Sequence, residues 1–166
     1  MTVIDEVLQA NGRYARAFGL GRLPRRPARK LAVVACMDAR LAVEPVLGLQ
    51  VGDAHIIRNS GGLVTDDALR SLLISHYLLG TEEWMIMSHT DCGMLTFKDE
   101  ELLARLHDER GTGPEVSTQF HAFDDLEANT RRQIEKAKAH PWVPSSIAVR
   151  GFVYDVTTGR LNEVPT

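Results

Sequence analysis

Residues 31–40 read LAVVACMDAR, an unbroken apolar run that ends at Cys36 and continues directly into Asp38 and Arg40. A short, valine-rich apolar run predicts a strand that is buried on both faces, as in a parallel sheet covered by helices. In open α/β sheets, ligands bind beyond the carboxyl ends of the strands. The polar side chains that follow this strand are therefore candidates for a functional site.

Further strands alternate with helices along the chain. The apolar runs AHIIR at 54–58, WMIMS at 84–88 and SSIAVRGFVYD at 145–155 predict strands, and the last returns through TTG to RLNEV as a hairpin. Helical patterns cover residues 3–18, 66–80, 97–111 and 123–141, and the second has Thr65 as N-cap and Gly80 as its stop. This order predicts an α/β fold with a central, mainly parallel sheet, helices on both faces and a final hairpin at the edge.

Length and charge narrow the class of protein. With 166 residues, of which 44% are hydrophobic and 25% charged, we expect one domain over 1–166, with a helix and a basic, proline-containing connection in 1–30. The net charge of −3 argues against nucleic acid, and the basic stretch RLPRRPARK at 22–30 has no interleaved aromatic residue. The sequence has no signal peptide and no apolar run of the ~18 residues that span a membrane. We therefore expect a cytoplasmic protein that binds neither membranes nor nucleic acid.

The stretch MSHTDCGM at 87–94 places His89 three residues before Cys92, just after the predicted strand WMIMS. Cys36 ends another strand, so all three side chains can meet at one edge of the sheet. In a reducing cytosol, cysteines serve as ligands, nucleophiles or buried packing more often than as disulfides. Two thiolates and an imidazole with an open fourth position are a catalytic zinc arrangement. The alternatives are simple packing of Cys36 and a chance His-x-x-Cys pair.

Asp38 and Arg40 follow Cys36 at spacings of two and four residues. In an extended segment these positions share the face of the cysteine, which places both beside the same metal. A carboxylate and a guanidinium at the tip of an apolar strand are costly unless they pair with each other or with an ion. The alternative is an ordinary exposed ion pair.

Together these residues resemble the β-class carbonic anhydrases, whose pattern is Cys-x-Asp-x-Arg followed some fifty-odd residues later by His-x-x-Cys. The stretches GDAHIIRNSGG, RSLLISHYLLGTEE and VRGFVYDVTTGRL are also similar to segments of that family, so the resemblance spans about residues 31–161. The short chain is most similar to the compact bacterial, mycobacterial-like branch. The resemblance implies zinc-dependent, reversible hydration of carbon dioxide to bicarbonate and a proton, with Zn²⁺ as the cofactor.

The resemblance also assigns roles to individual residues. It implies that Cys36, His89 and Cys92 bind zinc, and that Asp38, fixed by Arg40, orients the attacking water. In a closed state of the family, the aspartate leaves the arginine and becomes a fourth zinc ligand, which here would be Asp38. Arg58 matches a loop arginine that helps to hold anions or the subunit interface, although a purely structural role is equally compatible.

The resemblance further implies a homodimer or homotetramer in which the N-terminal helix lies across the neighbouring subunit. Two other functions remain open. Relatives with the same ligands hydrolyse carbonyl sulfide or carbon disulfide, and the shape of the pocket selects the substrate. A non-catalytic binding module stabilised by zinc is the third interpretation.

Overall fold

The computed structural model describes residues 1–111 and 119–166 and contains five strands and five α-helices in them. The strands are β1 Leu31–Cys36, β2 Ala54–Asn59, β3 Glu83–His89, β4 Ala148–Tyr154 and β5 Leu161–Val164. The helices are α1 Val3–Arg16, α2 Val43–Leu47, α3 Asp66–Tyr77, α4 Asp99–Arg110 and α5 Leu126–Ala139.

All five strands form one sheet in the order β2-β1-β3-β4-β5. The first four are parallel, and β5 pairs antiparallel with β4 as the return of the predicted hairpin. Strands β1 and β3 are neighbours in the sheet. From β1 the chain continues to β2 on one side, and from β3 it continues to β4 on the other side, so the two connections diverge at the carboxyl ends of β1 and β3. Such a divergence opens a crevice, which is where ligands bind in open α/β sheets.

Two apolar layers cover the sheet and confirm the predicted α/β architecture. On one face, α3 packs on β1 and β2 and α5 packs on β3 and β4, and Leu72 and Ile134 are almost completely buried. On the opposite face, Val33 and Ala35 of β1 pack under the short helix α2 and the loops that follow β1, β2 and β3. Because β1 is buried on both faces, its sequence is apolar without alternation.

The helix boundaries follow the predicted signals with small differences. The Thr65 side chain accepts a hydrogen bond from the Ala68 amide at 3.3 Å, which makes Thr65 the N-cap of α3 as expected. Helix α3 ends at Tyr77, and Gly80, with φ of 79°, completes the turn beyond it. Helix α2 is not among the predicted helices, because five residues with Pro45 in the first turn show no helical period.

Helix α1 lies outside both apolar layers. None of its residues is buried, and the side chains of Val3, Ile4, Val7 and Leu8 are more than half exposed. Its start is nevertheless well formed, because Thr2 and Asp5 make a reciprocal capping box. Among the described residues, no helix has the length and apolar character needed to cross a membrane.

Candidate metal centre

Cys36, His89 and Cys92 come together at the carboxyl ends of β1 and β3. Cys36 is the last residue of β1 and His89 the last of β3, and the parallel register of the two strands places these ends side by side. One ligand atom from each of the three side chains lies within 4.8 Å of the other two. All three residues are at most 5% exposed, so the sheet buries a sulfur–nitrogen–sulfur cluster.

The His89 ring is held in an orientation that suits a metal ligand. Its Nδ1 lies 2.8 Å from the Thr90 carbonyl oxygen, and because a carbonyl only accepts, Nδ1 carries the hydrogen. The Nε2 atom is buried and has no hydrogen-bond partner among the described residues. A ligating histidine typically donates its second nitrogen to a carbonyl in this way, so the bare Nε2 lone pair fits a metal ion.

The two thiols form a coupled pair. Both cysteines are free and buried. The hydrogen bond between them lowers the pKa of Cys36, because its thiolate accepts the proton of the neighbouring thiol. The same hydrogen bond raises the pKa of Cys92, since a second negative charge beside the first is unfavourable. A divalent cation would offset that second charge, and two sulfurs with one imidazole are ligands that Zn²⁺ prefers.

Burial works to lower the pKa of His89, but the Cys36 sulfur, the Thr90 carbonyl and the negative charge of Asp38 outweigh it and raise that pKa. The carboxylate oxygen Oδ2 of Asp38 lies 3.8 Å from His89 Nε2. The Asp38 carboxylate therefore faces the imidazole at the edge of the cluster.

Asp38 is paired with Arg40 in a two-pronged contact. Arg40 Nε donates to Asp38 Oδ1 at 3.0 Å, and Nη2 donates to Oδ2 at 2.8 Å. The Arg40 backbone amide adds a third hydrogen bond at 2.9 Å. The hydrogen bonds from the Arg40 side chain and amide hold the pKa of the Asp38 carboxyl well below its usual range. Asp38 is thus an ionised acceptor of fixed orientation next to the cluster.

Sequence reasoning missed Asp91, which holds the other side of Arg40. Arg40 Nη1 donates to Asp91 Oδ2 at 2.7 Å, and Nη2 donates to the Asp91 carbonyl oxygen at 2.9 Å. Asp91 has a φ of 54°, which turns its carbonyl toward the guanidinium. Its position directly before Cys92 was the available signal, but the pairing joins residues 51 positions apart.

Arg58 and the loop after β2 support the end of β1. Arg58 donates from Nε to the Cys36 carbonyl at 2.9 Å and from Nη2 to the Asp38 carbonyl at 2.7 Å. Gly62 has a φ of 65°, and a Cβ there would lie 2.9 Å from the Cys36 amide nitrogen. The loop reaches the cluster because this residue has no side chain. The expected anion or interface role of Arg58 stays a prediction beside this positioning contact.

A mainly apolar cavity of about 490 Å³ opens beside the cluster. It is bounded by both cysteines and Asp38 on the cluster side, and by methionine, phenylalanine and leucine side chains elsewhere. The apolar lining residues are Met37, Met94, Phe97, Leu102 and Phe120. Among residues 1–111 and 119–166, Asp38 is the one charged side chain that lines the cavity, so a small uncharged molecule can approach the cluster past mainly apolar groups.

The parallel sheet and the Cys–His–Cys cluster with its aspartate–arginine pair define an α/β protein whose sheet edge could hold a metal ion. The carbonic anhydrase family model matches residues 31–161. The chain is 47% identical over 164 residues to Beta-carbonic anhydrase 1 of Mycobacterium tuberculosis, with 99% of each chain covered. The chain belongs to the β-carbonic anhydrase family, as its motifs predict.

Two further proteins that are similar to this chain have different functions. The solved structure of carbonic anhydrase from Streptococcus mutans is 43% identical, with a TM-score of 0.93 over 99% of both chains. Carbon disulfide hydrolase of Acidithiobacillus thiooxidans is 36% identical over 80% of this chain and 76% of its own. The 47% identity to the Mycobacterium tuberculosis relative agrees with the predicted compact, mycobacterial-like branch.

Proposed function

We propose that this protein catalyses the reversible hydration of carbon dioxide to bicarbonate and a proton, with Zn²⁺ held by Cys36, His89 and Cys92. The observation that carries the proposal is the buried cluster of these three ligand atoms, with the Asp38–Arg40 pair at its edge. An enzyme that holds zinc with three protein ligands keeps a position free for water or substrate.

When bound, zinc supplies a Lewis acid that makes water nucleophilic near neutral pH. Asp38 would accept a hydrogen bond from the attacking water and so aim its lone pair at the carbon atom. Arg40 keeps the Asp38 carboxyl ionised and fixes its two oxygens, which limits the reorganisation that the reaction requires. Removal of Arg40 would free Asp38 for the closed state, in which it joins the metal ligands.

The cavity suits both the substrate and the product. Carbon dioxide is small and uncharged, so the apolar lining contributed by Met94, Phe97 and Phe120 can accept it without loss of hydrogen bonds to water. In the reaction a new carbon–oxygen bond forms, one carbon–oxygen π bond opens, and the proton passes to buffer. Bicarbonate carries a charge that this lining does not compensate, which favours its release.

The second candidate function is hydrolysis of carbon disulfide or carbonyl sulfide. The observation that supports it is the similarity to carbon disulfide hydrolase of Acidithiobacillus thiooxidans. The same cluster and dyad serve both reactions, because water attacks the central carbon of a linear molecule in each case. Only the space and lining of the cavity distinguish the substrates.

Stopped-flow hydration of carbon dioxide tests the proposal directly. We expect the zinc-loaded protein to hydrate carbon dioxide much faster than it releases sulfide from carbonyl sulfide under matched conditions. Asp38→Ala should keep zinc and lose most of the turnover, whereas Asp108→Ala, an exposed aspartate on α4, should match the parent. The opposite substrate ranking would favour the second candidate, and zinc-loaded protein without activity at any pH would indicate a binding module.

The proposal includes a homo-oligomer in the cytoplasm, at least a dimer, with small molecules as its other partners. The exposed apolar face of α1 supports the oligomer, because such a face gains stability when a second chain covers it.

A further inference from the structure

Asp99 connects two segments that both border the cavity. It is the first residue of α4 and lies between Phe97 and Leu102, which line the cavity. Its carboxylate accepts three backbone hydrogen bonds from the segment after residue 119. The Phe120 and His121 amides donate to Oδ2 at 3.0 Å each, and the Ala122 amide donates to Oδ1 at 2.9 Å.

The segment held in this way has an unfavourable backbone conformation. His121 has a φ of 62°, a left-handed conformation that costs a residue with a side chain on the order of 1 kcal/mol. Such a conformation persists only where the surroundings determine it by several contacts. A second anchor follows, because the Phe123 amide donates to the Met94 carbonyl at 3.2 Å and the Phe123 side chain is buried.

The contacts of Asp99 and of Phe123 together fix the position of Phe120. Phe120 is half-buried and lines the cavity that reaches Cys36 and Cys92. Among the described residues, the Asp99 carboxylate binds three backbone amides, and none of them belongs to the three clustered residues. Its effect on the cavity must therefore pass through the segment that carries Phe120.

We propose that Asp99 is a positioning residue: by binding the amides of residues 120–122 it fixes Phe120 as a wall of the substrate cavity, and this wall limits the size of the substrate. The inference deepens the proposed function and rests on it. Carbon disulfide is larger than carbon dioxide, because sulfur atoms are larger than oxygen atoms and carbon–sulfur bonds are longer. Phe120 lines the same cavity as Cys36 and Cys92, so a fixed ring narrows the path to the cluster for the larger molecule, whereas a displaced ring admits both.

Hydrogen exchange tests whether Asp99 holds the segment. We expect Asp99→Ala to raise the exchange rate of the amides of Phe120, His121 and Ala122 by about tenfold or more, since hydrogen bonds to a charged acceptor are lost. Glu100→Gln is the matched control, because Glu100 is an exposed acid in the same turn of α4. Exchange that is unchanged in Asp99→Ala would overturn the proposal.

Substrate discrimination tests the consequence for the cavity. The experiment compares kcat/KM for carbon dioxide with kcat/KM for carbon disulfide. The proteins are the parent, Asp99→Ala, Phe120→Ala and the double variant, each at full zinc content. Both single variants should shift the ratio toward carbon disulfide, by about tenfold for Phe120→Ala. In the double variant, Asp99→Ala should add little, because it acts through a ring that is no longer present.

The outcomes separate this inference from the proposed function. A full additional effect of Asp99→Ala in the Phe120→Ala background would overturn the positioning role, as would a ratio that neither single variant changes. A zinc-loaded parent that hydrates no carbon dioxide would overturn the proposed function and, with it, the role in substrate size. The exchange measurement would still decide in that case whether Asp99 holds the segment.

Discussion

Arg40 lies between two carboxylates, and this arrangement determines how Asp38 can act. One edge of the guanidinium binds Asp38, and the other binds the side chain and carbonyl of Asp91. A guanidinium has five donors in a rigid plane, so it can hold both partners at once. Asp38 is therefore oriented by a residue that is itself held from the Cys92 side of the site.

Asp91→Asn tests this second contact. Asparagine also tolerates a left-handed backbone, so the loop should keep its shape while the charge is lost. We expect kcat to fall by about threefold with little change in KM. The expected loss is modest because solvent partly screens the Arg40–Asp91 ion pair. Stopped-flow carbon dioxide hydration measures both constants. An unchanged kcat in Asp91→Asn, together with a large loss in Arg40→Ala, would limit Asp91 to shaping the loop.

Cys36→Ser tests the metal ligands. We expect about one zinc per chain in the parent and the loss of most of it in the variant, because a hydroxyl is a far weaker ligand than a thiolate. Metal analysis of purified protein measures the content. Thiol titration is the control, since zinc-bound cysteines should react slowly until a chelator removes the metal. Full zinc retention by Cys36→Ser would contradict the ligand assignment.

At the scale of elements, one carboxylate oxygen binds three donors in the turn between β4 and β5, beside two backbone hydrogen bonds that close it. Asp155 Oδ1 accepts hydrogen bonds from the Thr157 amide at 2.8 Å, the Thr157 hydroxyl at 2.6 Å and the Thr158 amide at 3.3 Å. These hydrogen bonds, of which the one from the Thr157 hydroxyl has the largest effect, lower the pKa of Asp155 to about 2. The hairpin matters for the site, because the Tyr154 carbonyl and the Val156 amide bind Thr90, the neighbour of His89.

Asp155→Ala should lower the free energy of unfolding at neutral pH. The folded pKa lies below the ordinary value, so the ionised group stabilises the fold above pH ~4, and this contribution disappears as pH falls toward 2. The difference between parent and Asp155→Ala should therefore shrink below pH ~4 in urea unfolding. Asp155→Asn is the matched control, since its Oδ1 can keep all three bonds without titrating. A difference that is constant with pH would contradict this account.

At the scale of the whole molecule, one sheet with two apolar layers accounts for most of the buried side chains, while α1 stays outside both layers. The prediction of a single domain over residues 1–166 stays a prediction. An amphipathic helix whose apolar face is exposed gains little from packing within its own chain. The face formed by Val3, Ile4, Val7 and Leu8 is therefore the surface on which we expect a second copy.

Leu8→Asp tests the oligomer. Light scattering of the parent should give at least twice the mass of one chain, and a charge in the apolar face of α1 should shift the protein toward the monomer. Gln9→Asp is the control, because residue 9 lies on the opposite side of the same helix. A parent that is monomeric, or an oligomer that is unaffected by Leu8→Asp, would contradict the role of α1.

The sequence by itself determined the fold class and the position of the site. Strand β1 could be read from LAVVAC because burial on both faces removes polar residues from a strand, and such local composition is visible without a structure. The convergence of Cys36 with His89 followed from the rule that carboxyl ends of parallel strands share one edge. The contact between Asp38 and Arg40 was also accessible, because they are two positions apart, although the structure places them in a turn closed by the Leu41 amide on the Asp38 carbonyl and not in the predicted extended segment.

Only the tertiary structure decided which distant groups hold these residues in place. Asp91 reaches Arg40 across 51 positions, and Asp99 reaches the amides of 120–122 across more than 20. Both aspartates stand in polar loop or helix-start positions, where acids are common and carry no distinguishing pattern. Their roles arise from the way in which separate connections pack over the same strand ends. That packing depends on the whole sheet, so local sequence cannot specify it.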